Sequence, residues 1–269
     1  MEHQKFDLSA ERSQLVVVIG NTTTTLAVFT GTPDPVIEKL PSSAFSDPSA
    51  MTSAINALVQ RFGLFHDSAI CSVVPDIACR CAALLSSMMP VPPVIIGAGL
   101  RLPFHLEYEN HHAFGADRIA MCAWSQSLFS RQAHIAVDIG TAITFDVLDS
   151  HGEYVGGLIL PGLDMMAGAL HSRTAQLPLV RVEGSCSLLG RSTGECIKSG
   201  IFWGAVKEIG GLIDEIGRFL KSEKGEPSVS VIATGGNSQL IARELDSIHV
   251  VDELAVARGS RLLLDFNRA

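Results

Sequence analysis

Three glycine-bearing turns carry residue types suited to holding a phosphate: Gly20-Asn21-Thr22, Gly140-Thr141-Ala142 and Gly235-Gly236. A phosphate that approaches a backbone closely needs residues with no Cβ in the way and N–H groups directed at it. The first two turns offer both, and a hydroxyl or amide beside each glycine adds a hydrogen-bonding group. Gly235-Gly236 sits between an apolar run and a helical pattern, where the backbone can lie against the flat face of a nucleoside. A lone Gly-Asn turn is more often only a hairpin. Two such turns at matching positions, with a later Thr-Gly-Gly turn, point to nucleotide binding, with ATP as the expected ligand.

The elements around these turns repeat. Leu15 to Ile19 is a continuous apolar run that fits a buried strand, and Thr22 to Phe29 reads as its returning partner. Ile135 to Ile139, then Gly140-Thr141, then Ala142 to Leu148 form the same unit further along. Gly20 aligns with Gly140 and Thr24 with Thr144 in this comparison. Repetition of a whole strand-turn-strand unit predicts two related halves, 1–128 and 129–269, with the boundary near Ser125 to Ala133. Helical stripes are expected over Met51–Phe62, 115–129, Ile201–Leu220 and about Ser238–Leu245. Strands are expected over Ala69–Val74, Val94–Ile96 and Val229–Ala233. The alternation implies an α/β fold in which mixed sheets carry helices on their faces and face each other across a cleft.

Composition limits the function classes. The chain has 269 residues, 47% hydrophobic and 18% charged, with a net charge of −8. It can fill a sizeable core, and its acidic balance argues against a nucleic-acid or anionic-lipid partner. Residues 1–14 lack the basic-then-apolar pattern of a signal peptide. The uncharged stretch Cys81–Leu100 contains Pro90, Pro92 and Pro93, which break a spanning helix. Six cysteines without a CxxC pair are expected to be reduced, mostly buried thiols of a cytoplasmic protein.

At the level of motifs the chain resembles the type III pantothenate kinases (the Bvg accessory factor family) of the actin-like phosphotransferase superfamily. The resemblance runs from Val16 to Asn267. Ile19-Gly20-Asn21-Thr22 is similar to the family's first phosphate motif, and Asp138 to Thr144 (DIGTAIT) to its second. Gly115-Ala116-Asp117-Arg118, with Tyr108 upstream, resembles the substrate motif. Ser72 to Pro75, Gly156 to Gly162 (GGLILPG) and Thr174-Ala175-Gln176-Leu177-Pro178 are also similar to family stretches. The resemblance implies two actin-like (ribonuclease H-like) domains and transfer of the ATP γ-phosphate to the primary alcohol of pantothenate, the first step of coenzyme A synthesis. It further implies Mg²⁺, a monovalent cation such as K⁺ or NH₄⁺, and a homodimer.

Site roles follow from that resemblance. Asp117 is the expected general base, because a carboxylate can orient a weakly acidic alcohol and accept its proton. Capping a helix that starts at Arg118 is the other reading of Asp117. Arg118 suits the pantothenate carboxylate through its planar fork, or else makes an ordinary ion pair. Tyr108 donates to the same carboxylate or simply packs, Gly115 belongs to the substrate motif, and Thr174 is expected to reach substrate from a partner subunit. Asp138 is expected to hold hydrated Mg²⁺ or to be a structural turn residue. Asp146 is a candidate for the monovalent cation.

Two positions depart from the family pattern: His111, where the family often has proline between Tyr108 and the Gly115–Arg118 motif, and Val18, which bears on activity. Val18 stands where the first phosphate motif begins with aspartate, and valine offers nothing to a metal. The valine supports a second reading: a catalytically impaired relative that binds nucleotide or pantothenate as a regulator. Retention of Asp117, Arg118 and Asp138 stands against it.

Overall fold

The computed structural model describes residues 13–32 and 34–269. Most of the polar opening segment therefore lies outside the described residues. The first half opens with β1 (Gln14–Ile19), β2 (Thr23–Phe29) and β3 (Val36–Pro41), followed by α1 (Ser42–Phe45) and α2 (Pro48–Phe62). It continues with β4 (Asp67–Ser72), α3 (Pro75–Met88), β5 (Val94–Ile95), a 3-10 turn at His111–Ala113 and α4 (Ala116–Leu128). The second half has β6 (Ala133–Ile139), β7 (Ala142–Leu148), β8 (Tyr154–Pro161), α5 (Leu163–Ser172) and α6 (Thr193–Glu223). It closes with β9 (Val229–Thr234), α7 (Ser238–Ala242), β10 (Val250–Val251) and α8 (Ala255–Arg268).

The two halves build the same sheet. Their strand orders are β3-β2-β1-β4-β5 and β10-β9-β6-β7-β8. In each, an antiparallel three-strand meander continues into two parallel strands. Register corrects one detail of the sequence comparison. Thr25, not Thr24, pairs with Val18, while Thr144 pairs with Asp138. The second turn is one residue tighter: Gly20 N–H donates to the Thr23 carbonyl, but Gly140 N–H donates to that of Ala142.

Alternation along the strands separates two kinds of core. Leu15, Val17 and Ile19 of β1 pack with Met51, Ile55 and Leu58 of α2 and Ile77, Cys81 and Leu85 of α3. Ile135, Val137 and Ile139 of β6 pack with Phe202, Val206 and Ile209 of α6. The alternate residues face inward, where Val16, Ala27 and Phe29 meet α4 and α8. Ala136 and Ile232 of the second sheet meet Met121 of α4 and Ala255 of α8. The helices α4 and α8 thus lie between the sheets, in tight contact. A Cβ on Gly259 would sit 1.9 Å from the Ala120 carbonyl oxygen, so only glycine permits this crossing.

Local chemistry sets the helix starts. Asp47 accepts from the N–H groups of Ser49 and Ala50 at 2.9 Å each, Pro48 opens α2, and Gly63 with φ 79° follows its end. The expected helices and strands are all present, with shifted ends. The helix α6 begins eight residues before Ile201, and β3, α1, β8, α5, β10 and the amphipathic helix α8 were not among the expected elements. Three of the six cysteines are buried, and Cys79 and Cys196 are exposed. Among the described residues no helix is long and apolar enough to cross a membrane.

Candidate functional site

The two glycine turns come together at the mouth of the inter-sheet cleft. The Thr22 and Thr141 hydroxyls lie 3.1 Å apart, in hydrogen-bond contact across it. Behind them is a cavity of about 410 Å³. Its walls include Gly20, Asn21 and Thr22 from the first turn and Gly140, Thr141 and Ala142 from the second. Asp117, Asp138 and Gly236 also line it. A smaller adjoining space of about 240 Å³ shares Val18, Thr23, Asp138 and Gly236 and adds Gly235. Residues far apart in the chain therefore line one site, and its size suits a small-molecule ligand.

Close backbone packing explains the glycines around Asp138. Gly235 has φ +93°, and a Cβ there would lie 2.4 Å from Asp138 Oδ1 and 2.6 Å from the Ile139 carbonyl carbon. The Asn237 N–H donates to the Ile139 carbonyl, which seats the Thr-Gly-Gly turn on the end of β6. Gly162, which ends the GGLILPG stretch, donates its N–H to the Thr141 carbonyl. A Cβ on it would meet the Gly140 and Thr141 carbonyl oxygens at 2.3 Å each. The Gly140 turn is thus held by glycine contacts from distant segments, whereas the Gly20 turn is held by Ser42, whose N–H donates to the Thr22 carbonyl and whose hydroxyl donates to that of Gly20.

Asp117 sits in the first turn of α4, whose cap residue is Gly115. The helix starts earlier than the capping alternative required, so Asp117 is inside it. Its Oδ1 accepts the Arg118 N–H at 2.8 Å. A Cβ on Gly115 would come within 2.5 Å of that same oxygen, so glycine leaves the carboxylate its space.

Arg118, Asp146, Tyr108 and Tyr154 form a cluster beside Asp117 rather than in the cavity wall. Arg118 donates through Nε and Nη2 to Asp146 at 3.0 and 2.7 Å, and through Nη2 to the Tyr154 hydroxyl at 2.8 Å. The Tyr154 hydroxyl in turn donates a hydrogen bond to Asp146 Oδ1 at 3.0 Å. The two charged side chains are 9% and 1% exposed. Burial acts against the Arg118 charge, but the adjacent Asp146 carboxylate outweighs it and holds the guanidinium more firmly protonated than usual. Burial likewise pushes the Asp146 carboxyl upward, against the pull of Arg118. A guanidinium does not release its proton in a protein, and Asp146 accepts hydrogen bonds from Arg118 Nε and Nη2 and from Tyr154, as an ionised carboxylate does. Phe114 lies under Arg118 with its ring centroid 4.3 Å from Cζ, and Tyr108 packs edge-on against both Phe114 and Tyr154. A Cβ on Gly157 would meet Arg118 Nη2 at 2.7 Å, so this glycine also makes room for the cluster.

Two expected roles look different in this geometry. Asp146, expected beside a monovalent cation, is enclosed by Arg118 and Tyr154. Arg118, expected to hold a carboxylate, already spends Nε and Nη2 on protein partners. Thr174 is exposed and outside the cleft of its own chain, with its Oγ1 donating to the Leu170 carbonyl at 2.8 Å. Asp164, Asn237 and Lys39 line the cavities but were not anticipated. Asp164 lies two residues beyond the GGLILPG stretch and Asn237 follows directly on the Thr-Gly-Gly turn, which were the available signals.

Asp138 carries the strongest charge anomaly among the cavity residues. Burial first, and then the negative charges of Asp117 and Asp146, together push its pKa up to about 7. A carboxylate with excess negative charge around it and open space beside it fits a hydrated divalent cation, which takes oxygen ligands from one or two carboxylates and substrate phosphates.

The type III pantothenate kinase family model matches residues 14–215. The chain belongs to that family. A type III pantothenate kinase of Chlorobaculum tepidum is 58% identical over 254 residues, covering 94% of each chain. One from Chlorobaculum parvum is 59% identical over 254 residues, covering 94% of this chain and 95% of the relative. Among solved structures, a Campylobacter jejuni protein described as a conserved Baf family transcriptional activator superposes with TM-score 0.59 at 19% identity. That match covers 94% of this chain and 98% of the other, and shows the fold alone. The fold of this family member is a pair of α/β units, each built on a five-stranded mixed sheet.

Two outcomes are expected. Asp146→Ala leaves the Arg118 charge buried and unpaired, so denaturant unfolding should register a loss of about 3–5 kcal/mol. In metal-free buffer, folded Asp138 keeps a proton that the unfolded chain loses near pH 4, so its contribution to stability falls as pH rises from about 4 to about 7. Asp138→Asn should flatten that part of the melting-temperature profile. An unchanged profile would mean the raised pKa is not a property of this carboxyl.

Proposed function

We propose that this chain transfers the γ-phosphate of ATP to the primary alcohol of pantothenate, giving 4′-phosphopantothenate for coenzyme A synthesis. The observation that carries the reading is the shared cavity: Asp117, Asp138 and both glycine turns line one space between the sheets. The relatives named as type III pantothenate kinases cover almost the full chain, which supports the same substrates here.

In this reading the backbone N–H groups of the two turns hold the phosphates, with Thr22 and Thr141 separating to admit them. Gly235 and Gly236 support the nucleoside. Asp117 orients the alcohol and takes its proton as the oxygen bonds to phosphorus. The bond to the bridging oxygen breaks and ADP leaves with the electron pair. Asp138 would hold Mg²⁺, which when bound neutralises phosphate charge. Tyr108, Gly115 and Arg118 shape the pantothenate end. Arg118 Nη1 is the guanidinium nitrogen not already given to Asp146 or Tyr154, which leaves it for a substrate carboxylate. K⁺ or NH₄⁺ enters through the family likeness. Ligation of that ion by Asp146 would require Arg118 to turn away.

A homodimer belongs to the same reading. The edge strand β8, α5 and the segment beyond expose Leu158, Ile159, Met165, Leu170 and Leu179, with Ile159 at 64%. A second copy covering this face would bring the exposed Thr174 near the partner's cleft. Cytoplasmic location fits a reaction that draws on ATP and feeds coenzyme A synthesis.

The test is ADP release from the purified chain with Mg²⁺-ATP, K⁺ and pantothenate. The native chain should turn over, and Asp117→Asn should lower kcat by about 100-fold or more. If the native chain is silent and Val18→Asp restores turnover, the regulator reading replaces this one. Size-exclusion chromatography with light scattering should give a dimer, and Ile159→Glu a monomer. A native monomer would remove Thr174 from the substrate site.

A further inference from the structure

We infer that Lys39 is a phosphate-holding cation of this cleft, contacting the non-bridging oxygens of the ATP polyphosphate. The inference rests on reading the cleft as an ATP site, and its test is separable from the pantothenate assignment.

Register places the residue. Lys39 pairs with Thr25 on β2, and Thr25 pairs with Val18 on β1. Directly paired residues share a face of the sheet. The neighbouring residues confirm which face this is. Ile37 packs with the inter-sheet core, whereas Val36 and Leu40 pack with α2 and α3 on the far side. Lys39 therefore faces the cleft from the edge strand, two strand spacings or roughly 10 Å from Val18. It lines the 240 Å³ space together with Thr23 and Thr25 from its own sheet, Asp138 and Gly236 from the other, and Glu253 from the β10–α8 connection.

Charge decides what it does there. The walls of the two adjoining spaces carry four carboxylates, Asp117, Asp138, Asp164 and Glu253. Lys39 is the one basic side chain among those lining residues. It makes no salt bridge among the described residues, so its ammonium has no intramolecular claim on it. A triphosphate entering so acidic a cleft needs positive charge beyond one divalent ion, and a lysine on a flexible stem supplies it as a point charge.

The internal repeat sharpens the argument. The row Val18–Thr25–Lys39 in the first sheet matches Asp138–Thr144–Ile159 in the second. One sheet thus presents a cation with no carboxylate, and the other a carboxylate with no cation. A metal-bound polyphosphate lying between the sheets meets the metal-seeking group on one side and the phosphate-seeking group on the other.

The experiment compares the full-length native chain with Lys39→Gln, Lys39→Arg and Lys39→Glu, using Mg²⁺-ATP, inorganic tripolyphosphate and adenosine as probes in calorimetry. Lys39→Gln should weaken ATP and tripolyphosphate by roughly 10- to 100-fold, Lys39→Glu more, and Lys39→Arg by less than about 3-fold, since Arg keeps the charge. Adenosine binding and melting temperature should not change, and KM for pantothenate should hold while KM for ATP rises. Native tripolyphosphate affinity in Lys39→Gln, or equal weakening of adenosine, overturns the inference. So does a native chain that binds neither ATP nor tripolyphosphate. A native chain that binds ATP but leaves pantothenate untouched would sink the kinase reading and leave the tripolyphosphate comparison to decide Lys39.

Discussion

The guanidinium of Arg118 and the carboxylate of Asp146 meet between α4 and β7, almost wholly shielded from water. Buried ion pairs add little net stability, because desolvation offsets their attraction, yet they hold two elements in one relation since neither charge tolerates being left alone. Here they tie the start of α4, a helix of the first half, to a central strand of the second sheet. Asp117 is the residue immediately before Arg118. The pair therefore sets where the Asp117 carboxylate stands relative to Asp138, and the cavity chemistry depends on that relation.

Much of the surrounding structure serves the pair. Tyr154 accepts from Arg118 and donates to Asp146, so its hydroxyl closes the network. Phe114 covers the guanidinium face, and Gly157 is bare so that Nη2 fits. The contact of Gly259 with the Ala120 carbonyl holds α8 against α4 from the other side. As a result the last helix of the chain packs on the first sheet through Leu263 and Leu264. A division of the molecule by contact would therefore place α8 with the first half, although it lies last in the chain.

The two sheets repeat each other in topology but not in charge. Equivalent positions hold Val18 and Asp138, and Lys39 and Ile159. Duplication provides two phosphate-suited turns that can close on one ligand. Divergence at these paired positions makes the cleft directional, with acidic groups concentrated on one wall. The Thr22–Thr141 contact shows how near the two walls stand at the mouth of the cleft.

The sequence by itself determined a good deal. Apolar runs ending in Gly20 and Gly140 announced the hairpins, because buried strands need continuous hydrophobicity and tight turns need glycine. The motif order announced the family, and helical stripes located α2, α4 and α6. Local patterns could not announce α8, where Gly259 interrupts the stripe for the sake of a neighbour 139 positions away in the chain. Nor could they show that Thr25 rather than Thr24 stands beside Val18, since that follows from a turn one residue longer than its counterpart. Only the tertiary structure decided that Arg118 and Asp146, assigned to separate ligands from sequence, bind each other, and that Lys39 shares a cavity with Asp138. The reason is physical. Propensity and periodicity act over a few neighbouring residues, whereas the burial of a charge and the partner that neutralises it are fixed by packing between elements distant in the chain.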